Sequence, residues 1–228
     1  MKRVLFCAFI SLALLAGRQA GAADGGPALK ADCVKCHAVG KPENPSLERL
    51  AVRKGPDLYY AGDKFNRPWL VKWLQNPVRI RPAGEFYLRH IKAGANEDVV
   101  DEGSLAPHPK LGKEEAETTA DDLMALTSPG IVEKGVFKSG AVNMMMAGMF
   151  FTKLRGCSAC HMYKPAAGGK SGPELYTAAE RLKPDYIAAY IKDPQKIDRY
   201  IWMPKLDMSP EDIESLTGYI LKLSPEAK

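Results

Sequence analysis

Apolar residues recur at helical spacing in several separate stretches of the chain. Trp69 and Trp73, four residues apart, share one face of a helix expected over residues 68–75. Asn76-Pro77 ends it, because the residue before a proline is driven out of the helical region. A polar helix reaches about residue 126, and a longer one is expected over 132–154, interrupted near Ser139-Gly140. Tyr186 and Tyr190 repeat the Trp69 and Trp73 spacing in a helix over 186–193 that Pro194 closes. Ser209-Pro210-Glu211-Asp212 starts a last amphipathic helix through residue 223. Residues 78–105 have no steady period, carry basic side chains early and acidic ones late, and read as a long loop with at most a short helix. The pattern predicts an all-α fold.

The pattern is also duplicated. Gly172-Pro173-Glu174-Leu175 answers Gly55-Pro56-Asp57-Leu58, and Met203-Pro204-Lys205-Leu206 answers His108-Pro109-Lys110-Leu111. Thr127-Ser128-Pro129-Gly130 marks the boundary, which gives two small domains over residues 23–128 and 129–228. Each is marginal on its own apolar core. Residues 1–22 read as a secretory signal peptide: Lys2 and Arg3 precede an apolar run, and Ala20-Gly21-Ala22 offers a cleavage site. No later run is long enough to span a bilayer, the apolar stretch 141–151 included. The net charge of +5 falls to +2 once Lys2, Arg3 and Arg18 leave with the leader, so nothing argues for a nucleic-acid partner.

Cysteine placement changes the picture most. Cys7 lies in the leader, and the other four cysteines form Cys33-Val34-Lys35-Cys36-His37 and Cys157-Ser158-Ala159-Cys160-His161. Cys-x-x-Cys-His is the attachment signature of haem c. The two thiols add to the vinyl groups and the histidine binds the iron from one side. A zinc ribbon would place its two cysteine pairs roughly 15–20 residues apart, whereas more than a hundred residues separate these. A thioredoxin-like dithiol needs strand-helix-strand flanks, and neither alternative explains a histidine after both pairs. Two covalently bound haem c groups, each with its iron, are expected.

The order of Cys-x-x-Cys-His, Gly-Pro, helix, Met-Pro and closing helix resembles a class I cytochrome c domain. Two in tandem resemble the dihaem cytochromes c of the c4-like type, over nearly all of the chain after the leader. The resemblance implies two all-α domains, each wrapped around one haem, and a proline carbonyl that accepts a hydrogen bond from the ligating histidine. Pro173 lies 12 residues after His161 and Pro56 lies 19 after His37. Cofactor contacts are expected from Cys33, Cys36, Cys157, Cys160, Pro56, Pro173, Trp69 and Tyr186, and iron ligation from His37 and His161. Met203, followed by Pro204, stands where the family places its sixth ligand, with Met208 as the substitute.

The first half departs from that pattern. No methionine lies between His37 and His108, and Met124 falls inside the closing helix. His108 shares Pro-Lys-Leu with Met203, so it is expected as the sixth ligand of a His/His haem of lower potential than its His/Met companion. His90 is expected at the surface. The first half also carries about 22 extra residues before His108, either a solvated loop or a cover and docking surface. Met144, Met145, Met146 and Met149 could suggest a soft-ligand box, but three in a row point in different directions, so packing against haem or the neighbouring domain is expected.

The expected function is electron transfer between redox partner proteins in the periplasm, without stable membrane insertion and without catalysis. Lys35, Lys110 and Lys205 are candidate docking groups. The rival reading is a dihaem oxidoreductase, or the electron-transfer subunit of one, of peroxidase or sulfur-compound dehydrogenase type.

Overall fold

The computed structural model describes Leu29 and residues 31–224; the expected leader lies outside the described residues. The first half contains α1 (Ala31–Val34), α2 (Leu47–Val52), α3 (Ala61–Lys64), α4 (Arg67–Gln75), a hairpin of β1 (Ile91–Lys92) and β2 (Val99–Val100), and α5 (Lys113–Ala125). The second contains α6 (Met144–Met149), a hairpin of β3 (Met162–Lys164) and β4 (Ala167–Gly168), then α7 (Ala178–Arg181), α8 (Pro184–Lys192), α9 (Pro194–Ile197) and α10 (Pro210–Ile220).

Local chemistry explains where these helices begin. Pro68 and Pro184 occupy the first turns of α4 and α8, where a missing N–H costs nothing and a fixed φ helps. Ser209 and Asp212 form a reciprocal capping box at α10. One expected helix begins much later than its sequence suggests. The carboxylate of Asp185 accepts from the backbone N–H groups of Gly135 and Phe137, at 2.7 and 2.9 Å, so that chain is held irregular. Asn143 then caps α6, and a single wider turn at Phe150–Leu154 continues it. Here side-chain bonding to the backbone outcompetes helix formation.

The duplication is visible in three dimensions. α3 and α7 start at 61 and 178, α4 and α8 at 67 and 184, and each pair is equal in length. α5 packs on α3 and α4, and α10 packs on α8 and α6. The halves meet through equivalent residues. Phe65 and Leu182 form an antiparallel bridge in which Asn66 N–H donates to the Arg181 carbonyl and Lys183 N–H to that of Lys64, both at 2.9 Å. This reciprocal exchange is what a local twofold axis produces. The rings of Tyr60 and Tyr186 stack across the same junction, 6.2 Å apart, and the buried apolar residues of both halves form one contiguous core.

The segment 78–107 is not simply a solvated loop. Two short helical turns, Tyr87–Arg89 and Glu102–Ser104, flank the β1–β2 hairpin, while Ala83 is fully buried. No helix among the described residues is long and apolar enough to cross a membrane.

Candidate functional site

Both Cys-x-x-Cys-His runs close the same turn. His37 N–H donates to the Cys33 carbonyl and His161 N–H to that of Cys157, each at 3.0 Å. Cys36 and Cys160 are exposed, Cys33 and Cys157 are half-buried, and all four are free thiols. Burial raises the pKa of the Cys157 thiol.

Each histidine that follows is held in the same manner. His37 Nδ1 lies 2.8 Å from the carbonyl of Pro56, and His161 Nδ1 lies 2.8 Å from that of Pro173. A carbonyl oxygen can only accept, so Nδ1 carries the proton and Nε2 keeps the lone pair a metal needs. The seven extra residues before Pro56 therefore leave this bond unchanged. Burial lowers the pKa of both imidazoles against the opposing effect of these bonds. His161, with the cations Arg81 and Arg181 adding to the effect, is pushed down to about 4. Both rings are neutral near pH 7, the protonation state of a ligand.

The glycine of each Gly-Pro pair is explained by the same contact. A Cβ on Gly55 would lie 2.4 Å from Cε1 of His37, and one on Gly172 would lie 2.6 Å from Cε1 of His161. Only a residue without a side chain lets the histidine ring seat against its proline carbonyl.

The sixth-position candidates sit on irregular loops tied to helix ends. Leu111 N–H donates to the Leu74 carbonyl at 3.0 Å, which anchors the His108 loop on α4. His108 directs Nδ1 to the Pro109 carbonyl at 2.9 Å and packs against the Trp73 ring at 4.6 Å. Its ring centroid is 6.2 Å from that of His37, with the planes tilted by 49°. Two imidazoles on opposite sides of one metal, with bonds of about 2 Å, have centroids about 6 Å apart, the spacing seen between these rings. Among the described residues His90 is engaged differently: its Nδ1 meets Ser104 Oγ at 2.8 Å and its other edge lies against Gly84.

In the second half, Gln195 Nε2 donates to the carbonyls of Ile201 and Met203, at 3.1 and 2.7 Å. Lys205 pairs with Asp193 at 2.6 Å. Both ties hold the Met203 loop on the end of α8 and the start of α9.

Phe65, Trp69 and Trp73 stack in steps of 5.7 Å, and His108 meets Trp73 at 4.6 Å with its ring tilted by 59°. Tyr186 and Tyr190 stand 5.6 Å apart at the matching places of α8, where Tyr186 is buried. Met144, Met145, Met146 and Met149 are all exposed, and it is Ala147 and Phe151 that the same helical run buries. None of the four is buried against the neighbouring half, and their exposure leaves packing against haem as an expectation. Lys35 pairs with Asp32 at 2.5 Å, and Lys110 is exposed.

Sequence reasoning missed a buried ionic cluster between the two sites. Arg53 binds Glu85 at 3.0 Å and Asp198 at 2.6 Å, and reaches Asp57 at 3.6 Å. Arg81 stands 3.6 Å from Glu85. Burial would raise the pKa of Glu85, but Arg81, Arg53 and Lys64 together hold it below its ordinary value. Lys64 lies among the rings of Phe65, Tyr186 and Tyr60, at 4.8, 5.6 and 5.9 Å, and burial pushes its pKa down to about 8. Arg53–Asp57 and Arg81–Glu85 are four residues apart, but no spacing links Arg53 to Glu85 or to Asp198.

No protein-family model matches the chain, and no curated protein or solved structure is significantly similar to it.

Proposed function

We propose that the protein is a periplasmic electron carrier with two covalently attached haem c groups, of the two-domain class I type. The reading rests above all on one observation: two Cys-x-x-Cys-His turns each present a histidine whose Nδ1 is bonded to a Gly-Pro carbonyl at 2.8 Å. When bound, haem supplies an iron that cycles between ferric and ferrous states. The chain attaches it through Cys33 and Cys36 in the first half and Cys157 and Cys160 in the second. His37 and His161 are the proximal ligands, and their carbonyl partners fix the ring orientation and raise its basicity.

His108 completes the first site, with support from its distance to His37, and Met203 completes the second. Imidazole and thioether then set unequal potentials, the second site being the higher. Filled sixth positions leave substrate no open coordination site, so the chain's task is to hold two redox centres across a shared core. Lys64 acts electrostatically on His37, and Arg81 and Arg181 on His161, cations of the kind that suit haem propionates. Encounters with donor and acceptor proteins are weak and charge-guided, with exposed lysines such as Lys110 contributing. Secretion through the leader brings the chain to an oxidising compartment where the thioether bonds form.

Electron paramagnetic resonance of the oxidised protein tests the ligand pairs. Two low-spin signals are expected, one from each pair, and His108→Met converts the first to the thioether type and raises its potential. An unchanged spectrum in that variant removes His108 from the site. Rapid carbon monoxide binding by the reduced protein would instead favour the dihaem oxidoreductase reading.

A further inference from the structure

The stretch between α4 and His108 has no counterpart in the second half, yet its ordered start is built against that half. The Ile80 carbonyl accepts from Glu174 N–H at 2.8 Å. Glu174 directly follows Pro173, whose carbonyl holds His161. Six residues after Ile80, Phe86 lies on Trp202, with ring centroids 4.8 Å apart and planes within 16°. Trp202 directly precedes Met203. Between the two contacts, Ala83 is fully buried, and Glu85 joins Arg53, which crosses to Asp198.

One short segment of the first half thus grips the loop whose Pro173 carbonyl holds His161 and the loop that carries Met203. The Ile80 bond immobilises the peptide next to the one that orients His161. The Phe86 stack holds a loop without regular structure whose other ties include the Gln195 bonds, the Lys205 pair and buried Ile201. Burial and the ionic cluster keep the segment itself from moving. We infer that residues 80–86 form a strap that positions the axial ligands of the second haem, acting on His161 through Glu174 and Pro173 and on Met203 through Trp202.

The inference deepens the two-haem reading and rests on it. An offset-stacked aromatic pair shifts an equilibrium by roughly two- to tenfold, so this is the expected growth in the fraction of second centres that have lost their thioether. The test uses the haem-loaded protein and its Phe86→Leu and Trp202→Leu variants, which keep apolar volume while removing the stack. The readouts are the weak far-red absorption band of ferric haem with a thioether ligand, and the two reduction potentials. Phe86→Leu should weaken the band and lower the second potential while leaving the His/His signal in place. The double variant should do no more than either single one, because all three remove the same contact. Leu88→Ser, exposed on the same segment, should change nothing. An unchanged band in Phe86→Leu, or equal shifts at both centres, overturns the strap. A parent protein that lacks haem or the thioether band overturns the two-haem reading and the strap with it.

Discussion

The two halves share the turn and the Gly-Pro carbonyl that fix the histidine after each Cys-x-x-Cys pair and differ in the loop that carries the sixth-ligand candidate. In the second half, 12 residues separate His161 from Pro173, and the β3–β4 hairpin fills most of that distance. In the first, 19 residues separate His37 from Pro56, and α2 uses the extra length. The bond that results is 2.8 Å in both. The loops with the sixth-ligand candidates differ more: His108 stands against Trp73 on one half, and Met203 lies on a loop held by Gln195 on the other. A proximal turn depends on backbone geometry that few sequences satisfy, whereas a sixth ligand can come from any loop that reaches. On the proposed two-haem reading, potential could therefore diverge between the duplicated sites without disturbing attachment.

The largest expected effect comes from erasing one side of this comparison. Replacing both Cys33 and Cys36 by alanine should leave one covalent haem per chain instead of two, read from the mass of the denatured protein. Retention of two would disprove attachment at the first turn. Next in size is the ionic cluster that joins the halves. Arg53→Leu strands Asp198 and leaves Glu85 with Arg81 as its remaining arginine partner, the two carboxylate side chains being 17% and 11% exposed. Breaking a buried pair in this way costs about 3–5 kcal/mol, measurable by urea unfolding; a loss under about 1 kcal/mol would show that the halves do not depend on the cluster.

A finer test asks whether the two proximal seats are equally tight. Gly55→Ala and Gly172→Ala each force a methyl group into a histidine ring, and overpacking of this kind costs about 1–3 kcal/mol. Similar losses of stability in the two variants are expected, and a loss confined to one would show that the seats are not equivalent. The smallest effect is a pH dependence. Lys64 titrates near 8 in the fold and near 10.5 when unfolded, so between these values the unfolded chain binds the extra proton. Stability should therefore rise with pH above about 8, and level off near 10 as tyrosines begin to ionise in the unfolded chain. Urea unfolding of Lys64→Met at about pH 7 and about pH 9.5 should show that the rise has disappeared; an unaltered slope would assign it to another group.

Local chemistry made much of this readable before any coordinates. The Cys-x-x-Cys-His runs, the Gly-Pro pairs and the prolines opening α4 and α8 act within a few residues of themselves, so the sequence determined the turns, the helix starts and the duplication. It also singled out His108, by its shared Pro-Lys-Leu, as the residue to compare with Met203. Tertiary structure alone decided that equivalent residues pair at Phe65 and Leu182, that α6 begins only after Asp185 has tied down Gly135 and Phe137, and that Phe86 reaches Trp202. The ionic cluster belongs with these, since Arg53, Glu85 and Asp198 carry no common spacing. The physical reason is the same in each case: such contacts depend on how distant segments fold back on one another, and a charge or ring has no periodic signature until its partner arrives.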